Sequence, residues 1–509
     1  MGNIDAQAIM NAAVTVAARP EQVRPELSPE AIAVASEQLP RPYSPVVVTG
    51  LAQFIEFCLI FAIGFVGYVL YVLPGNSFHW YYPAAILAVA AASVIGFQIA
   101  GIYRLQSFRS AVRQHARLIG VWTLVFLLLG ASIFLAKGQD HFSRVWMVSF
   151  FSVGLLALTG FRIVLFKLVR RWAHEGRLTR RTVIVGGGDL GAELIEQFRD
   201  TRGTDIRIIG LFDDRNDERS PDTIGGLRKL GTVDDLVEFA RRTRIDLVIF
   251  SLPISAEERI LQMLSKLWVL PVDIRLAAHI NKLQFQRRAY SYLGKVPVLD
   301  VFDRPIADWD VVLKWLFDKI VGGLLLLAAA PVMALVALAI KLDSRGPVLF
   351  RQKRYGFNNE LIEVFKFRSM YVEQTDANAS RLVTRDDPRV TPVGRFIRKT
   401  SLDELPQLFN VVLKGNLSLV GPRPHAVNAQ AAQRRYDEAV DGYFARHRVK
   451  PGISGWAQIN GWRGETDTAE KIQQRVEHDL HYIENWSMML DLYILLRTPF
   501  ALLSTENAY

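Results

Sequence analysis

The chain has 509 residues, half of them hydrophobic, and its mean hydropathy of +0.17 is high for a soluble protein. Its single cysteine, Cys58, excludes an internal disulfide and a multi-thiolate metal site. Its formal net charge of +10 is compatible with nucleic acid, anionic lipid or a phosphorylated substrate as a partner.

The N-terminal region, residues 1–45, is rich in Ala, Glu, Gln and Pro, and it lacks the basic start and apolar core of a signal peptide. We expect a largely disordered tail there, with a short helix as the alternative. Four apolar segments follow, each near the ~20 residues that a membrane helix needs: 46–73, 82–102, 118–136 and 145–168. They predict a four-helix transmembrane bundle over residues 46–170.

The connections between these segments differ in charge. The loop at 74–81 has no Lys or Arg, and the loop at 137–144 has two. Basic residues concentrate instead between the second and third segments and at the end of the fourth, namely Arg104, Arg109, Arg113, Arg117, Lys167, Arg170 and Arg171. The positive-inside rule therefore predicts that the N-terminus and everything after the fourth segment lie in the cytoplasm.

Residues 178–276 alternate between strand and helix patterns, which predicts a Rossmann-like α/β domain with a parallel, doubly wound sheet. A buried strand at 182–185 leads into the fingerprint formed by Gly186, Gly188 and Gly191. This turn predicts either a nucleotide site or a domain that has the turn without a cofactor. Residues 277–310 are expected to be a linker.

A fifth apolar run, 320–340, is uncharged and is flanked by Lys319 and Lys341. Its length permits a membrane span. Pro331 bisects it, and a proline inside a helix removes a backbone donor and clashes with the preceding turn. A helix that enters the membrane, breaks and returns is therefore the alternative.

Two adjacent carboxylates, Asp403 and Glu404, precede an apolar helical pattern that Pro406 can open. The positive end of a helix dipole stabilises anions there. Ser401 and Glu404 also fit a capping box, which is the structural alternative. Basic residues surround the pair in sequence, and acids among fixed cations suit phosphoryl transfer.

Several blocks between residues 311 and 498 resemble the bacterial sugar transferases, which move a hexose-1-phosphate onto a polyprenyl phosphate. These blocks are 345–347 with Gln352 and Arg354, 366–370, 401–407, 419–424, 450–456, and 485–487 with Asp491. The resemblance implies a mainly helical catalytic domain over residues 311–509 of a bacterial inner-membrane protein. It also implies that Asp403 attacks the β-phosphorus of a UDP-sugar, expels UMP and passes the sugar phosphate to undecaprenyl phosphate.

The charges of two phosphates and a carboxylate must be offset, so Mg²⁺ held by Asp403 and Glu404 is expected. The expected substrate contacts are Arg423, Arg398, Lys366 and Arg368, with Gln352, Arg354, Arg389 and Lys450 as weaker candidates. A full crossing by the fifth apolar run would separate Asp403 from the cytoplasmic donor. The resemblance therefore favours a re-entrant helix over residues 311–341 that breaks at Ala330 and Pro331, although related enzymes often carry a small polar residue where Ala330 stands.

The expected partners are a UDP-sugar (glucose or galactose), undecaprenyl phosphate, membrane lipid and downstream glycosyltransferases of exopolysaccharide, capsule or O-antigen synthesis. A homodimer is left open, and nucleic acid is not expected because the basic residues are interleaved with membrane segments. One rival is a nucleotide-sugar dehydratase or epimerase, but the chain has no Tyr-x-x-x-Lys pair. The other is a non-catalytic scaffold, which would keep its function when Asp403 is replaced by Asn.

Overall fold

The computed structural model describes residues 27–37, 40, 42–75, 77–103, 111–135, 137, 141–200, 205–215, 221–253, 256–277, 291–293, 296–372, 387–425, 430–431, 434–435, 443–462 and 468–503. These residues form two compact units. One is Gln38–Thr179, and the other combines Met1–Glu37 with Arg180–Tyr509.

Part of the N-terminal tail is folded. Helix α1 (Pro29–Ala35) begins after Ser28, whose hydroxyl accepts a hydrogen bond from the Ala31 amide at 3.2 Å. Leu27 and Ala31 are buried in the core of the α/β domain. The short helix left open for the N-terminal tail is therefore present, and it is ordered because its buried apolar side chains pack on the domain.

The first unit is built from four long apolar helices, which are α2 (Pro45–Gly67), α3 (Tyr81–Ile99), α4 (Ala111–Leu135) and α5 (Arg144–His174). Each of the four predicted apolar segments is helical. Five helices of the described chain, these four and one in the second unit, are long and apolar enough to cross a membrane. The chain is therefore a membrane protein.

Two charged side chains meet between these helices. Glu56 of α2 and Arg162 of α5 are both buried, and Arg162 Nε lies 2.5 Å from Glu56 Oε1. The Tyr103 hydroxyl donates a hydrogen bond to Glu56 Oε2 at 2.5 Å. Because an unpaired charge in a membrane interior is costly, this pairing fixes α2 against α5.

The α/β domain contains a sheet of eight strands in the order β3-β4-β2-β1-β5-β6-β8-β7. Strands β4, β2, β1, β5 and β6 run parallel, as expected for a Rossmann-like domain. In chain order the elements are β1 (Arg180–Val185), α6 (Asp189–Asp200), β2 (Ile206–Phe212), β3 (Thr223–Ile224), β4 (Leu227–Gly231), α7 (Val233–Arg242), β5 (Leu247–Phe250), α8 (Glu257–Leu267), β6 (Asp273–Ala277), β7 (Ser291–Leu293) and β8 (Val296–Phe302).

The expected linker over residues 277–310 is not a linker throughout. Strand β8 pairs antiparallel with β6, and β7 pairs with β8, so both extend the sheet at its edge. Val296 and Val298 are buried against the sheet. The α/β domain therefore continues to Phe302, because these apolar side chains cover the sheet edge.

Helix α9 (Asp308–Asp343) continues without interruption through Pro331. One stripe of the helix is buried on both sides of the proline, formed by Lys314, Asp318, Gly322, Met333, Val336 and Ile340. The opposite face exposes apolar side chains, including Leu324, Leu327, Leu335 and Leu338. No residue at Ala330 or Pro331 leaves the helix, and packing along the stripe supports it on both sides of the proline, so the break expected there stays a prediction in the form of a kink within α9.

The rest of the C-terminal domain is partly helical but is organised around a hairpin. Strands β9 (Leu349–Tyr355) and β10 (Leu361–Phe367) pair antiparallel, and β11 (Ser418–Val420) pairs parallel with β14 (Gly452–Ser454). A short antiparallel pair, β12 (Gln430–Ala431) and β13 (Arg434–Arg435), lies between them in sequence. The helices are α10 (Pro392–Lys399), α11 (Gln407–Phe409), α12 (Trp456–Ile459), α13 (Ala469–Glu484) and α14 (Met488–Leu503), with a one-turn 3₁₀ helix at Leu402–Glu404 and another at Tyr443–Arg448.

Candidate active site

The acid pair lies on a tight turn between α10 and α11. Ser401 adopts a left-handed conformation with φ of 58°, and the 3₁₀ helix Leu402–Glu404 follows it. The Ser401 side chain does not cap this helix. The capping-box alternative is therefore wrong, and the strained serine turns the two carboxylates towards the hairpin.

Glu404 is held by two cations. Lys366 Nζ of β10 lies 2.8 Å from Glu404 Oε1. The Arg423 guanidinium binds both carboxylate oxygens, with Nη2 at 2.5 Å from Oε1 and Nη1 at 3.2 Å from Oε2. Burial opposes ionisation here, but Arg423 and Lys366 outweigh it and hold the pKa of Glu404 well below its usual range. Glu404 is therefore a permanent anion that organises the cations.

Asp403 has the opposite environment. Among the described residues its carboxylate accepts no hydrogen bond and forms no ion pair. Burial, followed by the nearby charge of Glu404, raises the pKa of Asp403 to about 6, against the attraction of Lys366, Arg398 and Arg423. Two adjacent acids whose pKa values are driven apart are typical of a catalytic pair with separate roles.

The cations around the pair outnumber the acids. Arg354 of β9 donates hydrogen bonds to Gln352 Oε1 and to the Pro424 carbonyl. Burial, and then the proximity of Arg423, lowers the pKa of Arg354 to about 10. Burial also lowers the pKa of Lys366. These cations are part-buried and exceed the two acids in number, so the site is suited to an anionic ligand.

The structure therefore brings together most of the predicted site residues. Asp403, Glu404, Lys366 and Arg423 form its centre, and Arg354, Gln352 and Arg398 surround them. The hairpin explains this grouping, because Gln352 and Val364 face each other in its register and Lys366 lies two residues further along β10.

Three predicted substrate contacts have other partners. Arg368 is buried and donates hydrogen bonds to the Ser344 and Arg345 carbonyls, each at 2.8 Å, so it closes the C-terminus of α9. Arg389 pairs with Asp387 at 2.6 Å, and Lys450 donates to the Gly415 carbonyl at 2.8 Å. Arg368 and Lys450 thus bind backbone carbonyl groups, and Arg389 binds a carboxylate two residues away.

Sequence reasoning missed several buried polar residues beside the site. Arg446 and Asp479 form a buried ion pair at 2.5 Å. Lys314 Nζ binds Asp491 Oδ2 at 2.6 Å and the Val420 carbonyl at 2.9 Å. Asp491 belongs to the recognised blocks, but its partner lies 177 positions earlier, and no local pattern connects the two.

The acid pair was expected to hold Mg²⁺, but Glu404 is a poor candidate ligand. Both of its oxygens are already bound to cations. No group of three or more His, Cys, Asp or Glu side chains suited to a metal occurs in the described part of the chain. The available donor is Asp403, so a bound Mg²⁺ would depend on oxygens from the substrate as well.

The glycine-rich turn of the α/β domain has the expected backbone. Gly186 and Gly188 have φ of +103° and +83°, and a Cβ on Gly191 would lie 2.8 Å from the Gly186 carbonyl oxygen. However, the Asp213 carboxylate accepts the Gly187 amide hydrogen bond at 2.6 Å and also pairs with Arg215 at 2.9 Å. The turn is thus satisfied by the domain's own side chains.

Comparisons with known proteins agree with this geometry. A family model for bacterial sugar transferases matches residues 309–505, and one for a CoA-binding domain matches residues 98–278. The chain is 42% identical over 334 residues to an undecaprenyl-phosphate glucose phosphotransferase of Komagataeibacter xylinus, covering 65% of this chain and 61% of that protein.

Two further relatives cover more of the chain. A UDP-glucose:undecaprenyl-phosphate glucose-1-phosphate transferase of Escherichia coli K12 is 36% identical over 435 residues, 83% of this chain and 90% of that protein. Its counterpart by name in Xanthomonas campestris pv. campestris is 32% identical over 493 residues, 95% of this chain and 99% of that protein. The chain therefore belongs to the bacterial sugar transferases, in the group of polyprenyl-phosphate hexose-1-phosphate transferases.

Proposed function

We propose that this protein transfers glucose-1-phosphate from UDP-glucose to undecaprenyl phosphate and releases UMP through a covalent intermediate on Asp403. The observation that carries the proposal is the contrast between the two acids. Glu404 is bound by Lys366 and Arg423, whereas Asp403 has no hydrogen-bonded partner among the described residues. A carboxylate placed in this way can act as a nucleophile at phosphorus.

The reaction then has two displacements. An oxygen of Asp403 bonds to the β-phosphorus of the UDP-sugar, and the bond from that phosphorus to the bridging oxygen breaks, so the electron pair leaves with UMP. A phosphate oxygen of undecaprenyl phosphate next attacks the same phosphorus, and the aspartyl oxygen leaves as the regenerated carboxylate. The product is undecaprenyl diphosphate glucose.

The surrounding residues would stabilise the charge of the phosphates. Arg423, Lys366 and Arg354 are fixed before substrate binds, because Glu404, Gln352 and the Pro424 carbonyl hold them. Preorganised cations of this kind lower the barrier of phosphoryl transfer without reorganising during the reaction. Arg398 would add long-range attraction to the same anion.

Mg²⁺ is part of the proposal. Magnesium usually binds one or two carboxylates together with substrate phosphates, and Asp403 is the acid whose oxygens remain available. When bound, the ion would neutralise part of the diphosphate charge. The protein's own contribution would be to present one carboxylate beside fixed cations.

The names of the relatives are the support for glucose as the transferred sugar. The three compared above are named for transfer of glucose or its phosphate to undecaprenyl phosphate. Their names support UDP-glucose as the donor, with UDP-galactose as the second candidate. We infer that the reaction is the first membrane step in the synthesis of a bacterial polysaccharide.

The position of α9 supports a cytoplasmic active site. Near its start, Asp318 accepts a hydrogen bond from the Leu419 amide at 3.0 Å, and at its end, the Ile340 carbonyl accepts one from Arg368 at 3.4 Å. Both halves of α9 therefore pack on the same domain, and these contacts are compatible with a kinked helix that enters and leaves the membrane on one face. We propose that both ends of α9 lie on the cytoplasmic face of the inner membrane and that its exposed leucines contact lipid.

The test is UMP release from membranes that contain the protein, with undecaprenyl phosphate and a panel of UDP-glucose, UDP-galactose and UDP-N-acetylglucosamine. We expect UDP-glucose to release UMP fastest. Fastest release from UDP-galactose would replace the proposed sugar but keep the reaction. Failure to release UMP from any donor would contradict the proposed function.

A further inference from the structure

The loop that carries Arg423 is held at three successive carbonyl groups. The Pro422 carbonyl accepts a hydrogen bond from the Gly452 amide at 2.9 Å. The Arg423 carbonyl accepts one from Arg446 Nη2 at 2.7 Å, and the Pro424 carbonyl accepts one from Arg354. The backbone is therefore fixed on one side while the Arg423 side chain extends to Glu404 on the other.

Arg446 binds the backbone of the Arg423 loop. Its side chain is 1% exposed, and its Nη2 also donates to Asp479 Oδ2 of α13 at 2.5 Å. Asp479 is equally buried, so the two charges compensate each other. The pair anchors the Arg423 loop to α13.

The other half of the guanidinium is also bound. Arg446 Nη1 lies 2.6 Å from His425 Nδ1, two residues after Arg423. Burial, and then the charge of Arg446, hold the pKa of His425 well below its ordinary value, so the imidazole is neutral and can accept this hydrogen bond. One guanidinium thus spans the loop from Arg423 to His425.

The 3₁₀ helix Tyr443–Arg448 that carries Arg446 contacts the α/β domain. Arg241 of α7 lies over the Phe444 ring at 5.0 Å, and Arg448 Nη2 donates to the Asp303 carbonyl at 3.2 Å. The hairpin turn is attached to the same helix α7, because Asn358 Nδ2 donates to the Ala240 carbonyl at 2.9 Å. The α/β domain therefore supports elements that lead to the site cations.

We propose that Arg446 is a positioning residue that sets Arg423 against Glu404, and that the α/β domain supports this arrangement through Arg241 and the 3₁₀ helix Tyr443–Arg448. The proposal rests on the proposed transfer reaction and assigns the α/β domain a part in it. It requires no ligand in the glycine-rich turn.

The substitution that tests this geometry replaces Arg446 by lysine. Arg446→Lys keeps a positive charge beside Asp479, but a single ammonium cannot reproduce the planar fork that reaches Asp479, His425 and the Arg423 carbonyl together. Arg446→Lys is thus milder than a neutral substitution, which would leave Asp479 buried and unpaired. Its melting temperature is measured beside that of the wild type to confirm folding.

The decisive measurement is a double-mutant cycle on kcat for UMP release, using Arg446→Lys and Arg423→Lys in the full-length protein in lipid nanodiscs. We expect Arg446→Lys to lower kcat by about 10- to 100-fold in the wild-type background, because small misplacements of a positioned group cost this much. In the Arg423→Lys background the same change should alter kcat by no more than about twofold. An equal loss in both backgrounds, or no loss in the first, would overturn the positioning role.

A second pair of variants tests the support from the α/β domain. Arg241→Gln removes the contact with Phe444 and an ion pair with Glu238 at 3.8 Å, whereas Arg242→Gln on the next residue removes an ion pair with the same Glu238 at 2.9 Å and is the matched control. We expect kcat to fall several-fold in Arg241→Gln and to stay unchanged in Arg242→Gln, and equal rates in the two variants would refute the support. Because every value is a ratio to the wild type, a wild-type protein with no UMP release would instead refute the proposed function itself.

Discussion

At the scale of residues, the two adjacent acids show how environment divides roles between identical groups. Glu404 has two cations in contact and stays ionised, whereas Asp403 lies half-buried beside that anion. Ionisation of Asp403 therefore destabilises the folded protein. The enzyme would recover that cost only when substrate and metal bind.

This cost gives a prediction for stability. With Mg²⁺ removed by EDTA, Asp403→Asn should raise the melting temperature at pH 7.5 by about 2–4 °C, which corresponds to roughly 1–3 kcal/mol. Because the folded-state pKa is raised from 3.8 to about 6, the wild type loses stability as the pH rises through that range. The difference should therefore vanish near pH 4. A destabilised Asp403→Asn at pH 7.5, measured by scanning fluorimetry, would contradict the assigned environment.

The sequence predicted the centre of this site better than its borders. Asp403, Glu404, Lys366 and Arg423 lie within recognisable blocks, and the structure brings them together. Arg368 lies in one of those blocks too, but its partners are carbonyl groups at the end of α9, 23 and 24 positions away. No spacing rule separates a basic residue that closes a helix from one that binds phosphate, because both need the same donors.

At the scale of elements, α9 shows what packing adds to a local sequence pattern. The pattern around Pro331 predicted a break, since the proline lacks an N–H, whereas the helix includes the proline. The helix continues because Met333, Val336 and Ile340 pack against Phe367 and Ile397 beyond the proline. Such contacts join residues far apart in sequence, so local propensity could not reveal them.

The same packing predicts the topology of α9. Single cysteines placed at Asn460 and, as an external control, at Lys137 in a Cys58→Ala background are labelled in intact cells with an impermeant thiol reagent. We expect labelling at position 137 and protection at position 460. Pro331→Ala should leave position 460 protected, because contacts at both ends of α9 hold its position.

Labelling at position 460 from outside the cell would sink this topology. Labelling there in Pro331→Ala alone would show that the proline, and not the packing of α9, keeps both ends on one face. Permeabilised cells provide the control that position 460 is reactive when reached.

At the scale of the whole molecule, the domain boundaries followed from changes of sequence pattern, but the contacts between distant segments did not. The apolar segments and the alternating strand and helix patterns predicted the membrane helices and the α/β domain. The sequence predicted a linker where β7 and β8 lie, because β8 pairs with β6 across residues 278–295 and β7 pairs only with β8 at the sheet edge. The packing of helix α1 could not be predicted for the same reason, since its partners lie about 200 residues later.

The arrangement predicts how much the transferase domain can do alone. A fragment of residues 308–509 in lipid nanodiscs should retain UMP release, because α9, the hairpin and the acid pair all lie within it. Its kcat should be lower than that of the full chain, because Trp268 and Val269 of the α/β domain pack into the transferase core and would be lost. A folded fragment with no activity would show that the α/β domain is required for the chemistry.

Asp403 is proposed to carry the sugar phosphate covalently, and trapping this intermediate is the most direct test. The purified protein is mixed with UDP-glucose and Mg²⁺ without undecaprenyl phosphate, quenched and digested, and its peptides are analysed by mass spectrometry. We predict a burst of UMP whose molar amount equals that of the enzyme, and a hexose phosphate on Asp403. The modification should disappear when undecaprenyl phosphate is added. Asp403→Asn should show neither the burst nor the modification. UMP release that requires undecaprenyl phosphate from the first turnover, with Asp403 unmodified, would contradict the covalent mechanism.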